Sequence, residues 1–276
     1  MRKSLLITYL FATTALCAQE MVVKGRITNL DGEPVEYATV GISGTKNGTL
    51  TSHDGTFELA IPQECHDTLT ARHVSYSEAR IPATVYRNSD GRLDVTMYPR
   101  PLEDIVVFNG KRKKAKLVNK GMRLPGGSTT MDISFIGNEI GSVVETKHPF
   151  EISEIIFNTV ANSIDKAKLS ISINIYSADT IENRFRNVMH HPIYTDIPEG
   201  KKKIEHTIVP QERIILTPGV YFVAVKFVDG CRNDPEKEKI AFPLYIKSGY
   251  IRRSAVEHPE KSPFNLGLQI NGFEYR

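Results

Sequence analysis

Short runs of alternating polar and apolar residues, separated by turn residues, continue along most of this chain and restrict its fold more than any other feature. Residues 22–28 alternate as a half-buried strand does. Asp31-Gly32, Asn47-Gly48 and Asp54-Gly55 follow at short intervals, and glycine in such pairs supplies the positive φ that a tight turn needs. About seven short strands with this spacing, the last three at Thr68–Val74, Ala79–Val85 and Leu93–Met97, predict a β-sandwich over residues 19–107.

Several motifs in this first region resemble one family when they are taken together. They are Val23-Lys24-Gly25-Arg26-Ile27, Asp31-Gly32-Glu33-Pro34-Val35, Ala38-Thr39-Val40, Gly44-Thr45-Lys46-Asn47-Gly48-Thr49, Asp54-Gly55-Thr56-Phe57, His73-Val74-Ser75-Tyr76 and Leu102-Glu103-Asp104-Ile105-Val106-Val107. The set resembles the carboxypeptidase-regulatory-like domain. The resemblance implies a transthyretin-like β-sandwich, which is common at the N-termini of outer-membrane proteins of Bacteroidota, including SusC-like TonB-dependent receptors. In those receptors a plug and a long barrel follow, and residues 108–276 are too few for that barrel, so we expect that the chain is not itself a receptor.

Residues 1–18 have the layout of a signal peptide. Arg2 and Lys3 precede an apolar run from Leu5 to Ala15, and we expect cleavage after Ala18. The run is too short for a membrane-spanning helix, which needs about 20 apolar residues. Cys17 leaves lipid attachment as an alternative that the bulky residue before it disfavours. The leader predicts export to the periplasm or an outer-membrane association, and we expect no transmembrane segment in the mature chain.

Length and charge limit the partners that the chain can have. Its 276 residues suit two domains, and a hydrophobic fraction of 40% is enough for packed cores. The net charge is only +3, so no strong field would attract nucleic acid, and we expect no nucleic-acid partner. After cleavage only Cys65 and Cys231 remain, either as a disulfide or as two separate thiols. Neither forms a Cys-x-x-Cys pair, which disfavours a redox or zinc role.

Residues 108–127 are rich in lysine and arginine and contain Pro125-Gly126, so they predict an exposed basic linker. Binding of nucleic acid or acidic lipid is the alternative for this run. Beyond it, residues 128–276 predict a second β-sandwich, because Leu169–Tyr176 alternates strictly and Tyr221–Val228 is nearly apolar on both faces, as in a central strand. The segments Gly137–Gly141, Pro149–Ile152, Asn174–Tyr176 and Leu216–Tyr221 resemble C-terminal jelly-roll-like domains attached to the regulatory-like module in Bacteroidota.

Candidate chemistry in the second region is sparse. His148 and Glu151 form the His-x-x-Glu half of a metallocarboxypeptidase zinc site, which needs a third ligand from His190, His191, His206 or His258. The chain has no βαβ pattern for the catalytic domain of such an enzyme. Oxygen ligands for Ca²⁺ occur at Asp229, Asn233, Asp234 and Glu236, although their order does not match an EF-hand and we favour a solvated turn.

Aromatic side chains crowd the C-terminal region at Tyr245, Tyr250, Phe264, Phe273 and Tyr275. β-Sandwich modules often bind glycans on exposed aromatic platforms, but the chain contains no tryptophan, and we interpret these residues as core and edge packing. The sequence therefore predicts an all-β protein with no catalytic, cofactor-binding or metal-binding residues and no cofactor. We predict a non-enzymatic cell-envelope interaction or accessory module whose partner is an envelope protein or a glycan. A carbohydrate-binding module is the alternative, and a zinc metallopeptidase is the third.

Overall fold

A computed structural model describes residues 19–43, 45–89, 92–101, 108, 110–160, 169–179, 181–198, 203–230 and 239–276. Several features named above lie outside these residues. They are the predicted signal peptide with Cys17, the segment 102–107, Cys231, and the candidate Ca²⁺ ligands Asn233, Asp234 and Glu236.

The N-terminal region folds into the β-sandwich that the sequence predicts. Its strands are β1 (Glu20–Thr28), β2 (Thr39–Ile42), β3 (Gly48–Leu50), β4 (Thr56–Pro62), β5 (Leu69–Arg72), β6 (Ala79–Ile81) and β7 (Leu93–Thr96). One sheet has the order β4-β1-β7 and the other the order β3-β2-β5-β6. All neighbours are antiparallel except β1 and β7, which run parallel. Ile27, Ile61, Leu69 and Met97 are fully buried between the two sheets and form a core of their own.

Local chemistry explains two confirmed turns and two errors in this region. Gly32 and Gly55 have φ of +81° and +79°, as the turn prediction requires. The same prediction is wrong for Gly48, which has no positive φ and begins β3. The sequence also predicts a strand from Ala79 to Val85, and this is wrong beyond Ile81, because Ala83–Tyr86 forms a short helix, α1. Pro82 has no N–H to donate to a sheet and its fixed φ of −61° suits the start of a helical turn, so the strand ends there.

The C-terminal region is a second and larger β-sandwich. Its strands are β8 (Arg112–Val118), β9 (Met122–Met131), β10 (Glu139–Thr146), β11 (Phe150–Thr159), β12 (Leu169–Asp179), β13 (Arg184–Asn187), β14 (Ile193–Ile197), β15 (Ile204–Ile208), β16 (Ile215–Leu216), β17 (Gly219–Asp229), β18 (Ile240–Arg252), β19 (Glu260–Asn265) and β20 (Gln269–Tyr275). One sheet has eight strands in the order β13-β12-β17-β10-β18-β19, with β14 paired to β12 and β9 paired to β18. The other has five, in the order β15-β11-β20-β8, with β16 paired to β11.

The strand β17 is central, as its doubly apolar sequence predicts. It lies between β12 and β10 and its residues from Tyr221 to Val228 are all buried. The core between the two sheets contains Phe150, Phe157, Phe227 and Phe242, all fully buried. Both regions are therefore all-β sandwiches with separate cores.

The predicted basic linker over residues 108–127 is wrong for most of its length, because β8 and the start of β9 are paired strands. β8 pairs with β20, and its residues alternate, with Leu117 buried and Lys114 and Lys116 exposed. The lysines therefore occupy the solvent side of an edge strand, where charged residues prevent pairing with another chain. Residues 119–121 connect β8 to β9, and the Pro-Gly segment lies where the pairing of β9 with β18 shifts register between Pro243 and Tyr245.

Candidate functional site

A row of polar side chains crosses one face of the eight-stranded sheet. Glu139 on β10 lies opposite Lys226 on β17 and opposite Arg252 on β18. Ser172 on β12 lies opposite Lys226 on one side and opposite Tyr194 on β14 on the other. Directly opposed residues in antiparallel strands place their side chains on the same face of a sheet. The register therefore aligns Arg252, Glu139, Lys226, Ser172 and Tyr194 across five adjacent strands.

This row is buried, because the N-terminal sandwich lies against it. Glu139 is 0% exposed and Lys226 is 9% exposed. The Lys226 Nζ donates a hydrogen bond of 3.0 Å to the Thr39 Oγ1 on β2, which links the two sandwiches directly. A sheet face that would be solvated in an isolated domain is thus an interface in the whole chain.

Apolar contacts surround the polar row and complete this interface. Leu50 from β3 packs with Val228 and Ala255 of the second sandwich. The rings of Tyr37 and Tyr194 meet edge to face with 5.0 Å between their centroids. The two sandwiches therefore share a small apolar cluster in addition to their separate cores, and aromatic pairs of this geometry stabilise such contacts by about 1 kcal/mol beyond burial.

The Glu139 carboxylate is held by three polar neighbours. Its Oε1 accepts hydrogen bonds from Asn174 Nδ2 at 2.9 Å and from the Tyr176 hydroxyl at 2.8 Å. Its Oε2 lies 3.0 Å from Arg252 Nη1, but this ion pair lacks hydrogen-bond geometry. Within the described residues, Glu139 Oε2 and Arg252 Nε are buried without a hydrogen-bond partner. A buried polar atom without a hydrogen bond costs about 1–3 kcal/mol, and at Glu139 Oε2 the ion pair with Arg252 offsets part of this cost.

The charges in the row do not cancel. Lys226 and Arg252 carry two positive charges against the single carboxylate of Glu139. The pKa of the Lys226 ammonium is lowered to about 8, chiefly by burial and to a smaller extent by the positive charge of Arg252, while the Glu139 carboxylate partly opposes the shift. Of the three N–H groups of this ammonium, one bonds to Thr39 and the described residues offer no second partner. The row is left with one uncompensated buried cation.

His73 connects the row to the N-terminal sandwich through a chain of hydrogen bonds. The backbone N–H of Ser75 donates to His73 Nδ1 at 3.2 Å, which assigns the proton to Nε2. His73 Nε2 lies 3.2 Å from the Tyr194 hydroxyl, which donates to the Glu36 carbonyl oxygen at 3.4 Å. Burial, reinforced by the Lys226 charge, lowers the pKa of His73 to about 4, so this imidazole is neutral at pH 7.

A cavity of about 330 Å³ lies between the two sandwiches and includes this row in its walls. Its lining combines hydrogen-bonding groups with aromatic rings, among them His73, Tyr76, Asn174, Tyr194, Lys226 and Arg252. The volume is at the lower end of the range for small-molecule sites, about 300–1,000 Å³. We refer to this cavity as the interdomain cleft. Its dimensions and donors suit a small polar molecule.

Glu151, one of the two residues of the zinc half-site that the sequence singles out, forms ion pairs with Arg112 and Arg213. Glu151 Oε1 accepts from Arg112 at 3.0 Å and its Oε2 accepts from Arg213 at 2.9 Å and from the Tyr275 hydroxyl. Partial burial would raise the pKa of Glu151, but the bonds from Tyr275 and Arg213 outweigh it and the pKa is lowered. Both oxygens are thus engaged with cations or a hydroxyl, which leaves an ion cluster in place of an open ligand.

The candidate third ligands have unrelated surroundings. His206 stacks on Phe157 with 4.8 Å between ring centroids, and His190 contacts Arg100 at 3.2 Å. His191 Nε2 lies 3.7 Å from Glu212. The described part of the chain brings together no group of three His, Cys, Asp or Glu side chains that could hold a metal ion.

The C-terminal aromatic side chains pack against the protein. Tyr250 is buried against Phe185 and Phe222, which confirms the packing interpretation for that residue. The face of Phe273 is covered by the Arg112 guanidinium at 3.6 Å. The Tyr275 hydroxyl belongs to the Glu151 cluster. These rings therefore do not form a shared open platform.

Asp229 and Cys65 are two further candidates within the described residues. Asp229 does not lie in a solvated turn, because its Oδ2 accepts from the Tyr37 hydroxyl at 3.3 Å across the interface. The remaining Ca²⁺ candidates lie outside the described residues. Cys65 is half-buried and forms no disulfide with a described residue, and the alternatives for Cys231 stay open.

The sequence does not single out Glu139, Lys226 and Arg252 as a cluster. One signal was available, because a lysine in the middle of a central, doubly apolar strand has to be buried with a partner. The polar residues Ser172 and Asn174 alternate with isoleucines and so predict a solvated face. Only the position of the other sandwich shows that this face is covered.

Comparison with known proteins gives a family for the N-terminal region. Residues 22–98 match the family described as the carboxypeptidase regulatory-like domain. The chain is 29% identical over 145 residues to the TonB-dependent receptor SusC of Bacteroides thetaiotaomicron, and this alignment covers 50% of the chain and 14% of the receptor. The chain therefore carries a SusC-like N-terminal regulatory domain, as its motifs predict. These two matches are to a regulatory-like domain and a receptor, not to enzymes.

A likeness among solved structures is much weaker. The structure of T=1 particles derived from Infectious Bursal Virus aligns over 93% of this chain and 62% of that chain, with 11% identity and a TM-score of 0.16. A score this low supports no argument about the fold. Within the described residues, no helix has both the length and the apolar character needed to cross a membrane.

Proposed function

We propose that this chain is a non-enzymatic accessory or interaction protein of the cell envelope, exported to the periplasm or to the outer-membrane face. The observation that carries the proposal is the match of residues 22–98 to the regulatory-like domain together with the similarity to the receptor SusC. The partner is an envelope protein or a glycan.

The contacts between the two sandwiches support the proposal that both act as a single functional unit. The N-terminal sandwich covers the buried polar row of the second sandwich, and Thr39 on β2 accepts a hydrogen bond from Lys226. A regulatory-like domain held in this way presents a fixed surface and not a freely moving one. We infer that the partner is recognised by the two sandwiches together.

Fractionation of the native host tests the location. The chain is expected in the periplasmic or outer-membrane fraction, with a mature N-terminus at residue 19 by mass spectrometry of the purified protein. A cytoplasmic pool that retains residues 1–18 would contradict the proposal.

The non-enzymatic part of the proposal is tested with peptidase assays in added zinc. Because both oxygens of Glu151 are occupied by Arg112, Arg213 and Tyr275, no turnover above background is expected. Zinc-dependent turnover that Glu151→Gln abolishes, and that the exposed-site variant Glu58→Gln retains, would revive the metallopeptidase hypothesis.

A further inference from the structure

We propose that the interdomain cleft binds a small polyhydroxylated monoanion, with the carboxylate of the ligand held by the Lys226 ammonium. This inference goes beyond the proposed function, because it assigns a ligand to the cleft and does not depend on where in the cell the protein is located.

The charge of the ligand follows from the imbalance in the row. Arg252 and Glu139 form one ion pair at 3.0 Å, and Lys226 is left as a buried cation. A buried ammonium is retained at a considerable cost unless a counter-charge and hydrogen-bond acceptors compensate it. One carboxylate supplies a single negative charge and acceptors for the two N–H groups that Thr39 leaves without a partner.

The polyhydroxylated character follows from the other lining groups. The hydroxyls of Ser172 and Tyr76 and the remaining N–H of the Asn187 amide line the cleft, whereas the Asn174 amide is already engaged by Glu139 and Asn187. The rings of Tyr76 and Tyr194 add aromatic surface. Hydroxyls and amides both donate and accept, as sugar hydroxyls require of their partners. Tyrosine rings offer apolar faces of the kind that line most small-molecule sites.

The size of the ligand follows from the cavity. A volume of about 330 Å³ corresponds to roughly ten water molecules at about 30 Å³ each. This accommodates a molecule with on the order of ten non-hydrogen atoms, which is the size of a single hexuronic acid and not of an oligosaccharide.

Two sources of negative charge are chemically close, a carboxylate and a phosphate. The cleft lining also contains the ion pair of Arg72 with Glu78 and the Arg100 guanidinium, which donates to the carbonyl oxygens of Asn187 and Met189. The two N–H groups that Lys226 has left match the two oxygens of one carboxylate, whereas a phosphate brings more oxygens than this ammonium can satisfy. The observations therefore favour a carboxylate, and the experiment includes phosphate as a separate arm.

The test is calorimetric titration of the full exported chain at pH 7 and constant ionic strength with D-glucuronate, D-glucose and inorganic phosphate. D-Glucuronate is expected to bind saturably at one molecule per chain, at least tenfold more tightly than either D-glucose or phosphate. Equal affinity for glucuronate and glucose would overturn the role of the charge. Tighter binding of phosphate would overturn the carboxylate assignment, and the absence of saturable binding would overturn the site.

A matched pair of variants locates the site. Lys226→Met keeps the side-chain length and removes the charge, and it is expected to weaken glucuronate binding at least tenfold. Lys116→Met removes a charge from the exposed side of β8 and is expected to leave the affinity unchanged. Unaltered binding by a folded Lys226→Met variant would overturn the proposal. If that variant fails to fold, the comparison of glucuronate with glucose in the unaltered chain still decides it.

Discussion

Burial of the Lys226 ammonium has an energetic cost that other interactions in the fold must offset. Its pKa of about 8 is below the ordinary value of 10.5, because burial disfavours the charged form. Between pH 10.5 and pH 8 the unfolded chain binds more protons at this residue than the folded chain does. Stability associated with Lys226 is therefore present above pH 10.5 and is lost as the pH falls through 8.

We expect Lys226→Met to stabilise the protein at pH 7, by about 1–3 kcal/mol in the free energy of unfolding. The gain is smaller than the full cost of burying the charged ammonium, because the Thr39 hydroxyl loses the hydrogen bond that Lys226 donates. Urea unfolding at pH 7 and pH 10 measures it, with Lys116→Met as the control. The advantage over the unaltered chain should shrink as the pH rises from 8 to 10.5. A variant that is less stable at pH 7 would contradict this prediction.

His73 gives a second prediction, on the acid side. Its pKa is lowered from 6.5 to about 4 by burial and by Lys226, so the neutral imidazole is the form that fits the fold. The stability that depends on this neutral form is present above pH 6.5 and is lost as the pH falls through 4. Over this window we expect a loss of up to about 3 kcal/mol from this residue.

The measurement compares His73→Gln with the unaltered chain in urea between pH 7 and pH 4. The variant is expected to lose less stability with acid than the unaltered chain does. His53→Gln serves as the control, since the His53 side chain is 86% exposed. Parallel pH profiles for His73→Gln and the unaltered chain would show that the imidazole is not the titrating group.

At the scale of single elements, β8 shows how a charge run can mislead a reading of the sequence. Lys111 to Lys120 has the composition of a solvated linker. Ala115 and Leu117 alternate with lysines in the same run, as in a strand, but the large number of charges obscures this pattern. The physical distinction is that an edge strand needs only one apolar face, and the other face can be as charged as any linker.

Trypsin digestion tests the structure of this element. A protease needs an unfolded stretch of backbone, and the backbone of β8 is paired with β20 along its length. Cleavage from Lys113 to Lys116 is therefore expected only at the rate of global unfolding. Mass spectrometry of the fragments identifies the arginine and lysine residues after which trypsin has cut. First cuts within β8 under native conditions would contradict the paired strand and restore the linker.

Other elements were accessible from the sequence for clear physical reasons. The turns at Gly32 and Gly55 require positive φ, which is a local property, and β17 is apolar on both faces except for Lys226 because it is covered on both. The helix at Ala83–Tyr86 was missed because one proline outweighs a run of strand-forming residues. The interdomain cleft depends on contacts between residues far apart in the chain, such as Thr39 with Lys226, and no local pattern encodes them.

At the scale of the whole molecule, each sandwich has its own core, as the sequence predicts, but the interface is not that of two independent domains. The N-terminal sandwich buries a row that contains three charged side chains of the second one, Arg252, Glu139 and Lys226. Separation of the two would return Lys226 and Glu139 to water and would expose Val228 and Leu50. The polar groups would gain solvation and the apolar groups would lose burial, so the coupling between the sandwiches depends on the apolar and aromatic contacts.

We therefore expect the full chain to unfold in one calorimetric transition, and Tyr194→Ala to separate it into two. Tyr194 contacts Tyr37 edge to face and links to His73 by its hydroxyl, so its loss removes aromatic packing and one hydrogen-bond chain at the same time. The expected loss is about 2–4 kcal/mol, confined to the coupling between the sandwiches because the variant leaves both cores intact. Tyr98→Ala is the matched control, since Tyr98 is 61% exposed, and it should leave the single transition unchanged. If the unaltered chain already shows two transitions and Tyr194→Ala moves neither, the two sandwiches are energetically independent, and the cleft between them is a contact without coupling.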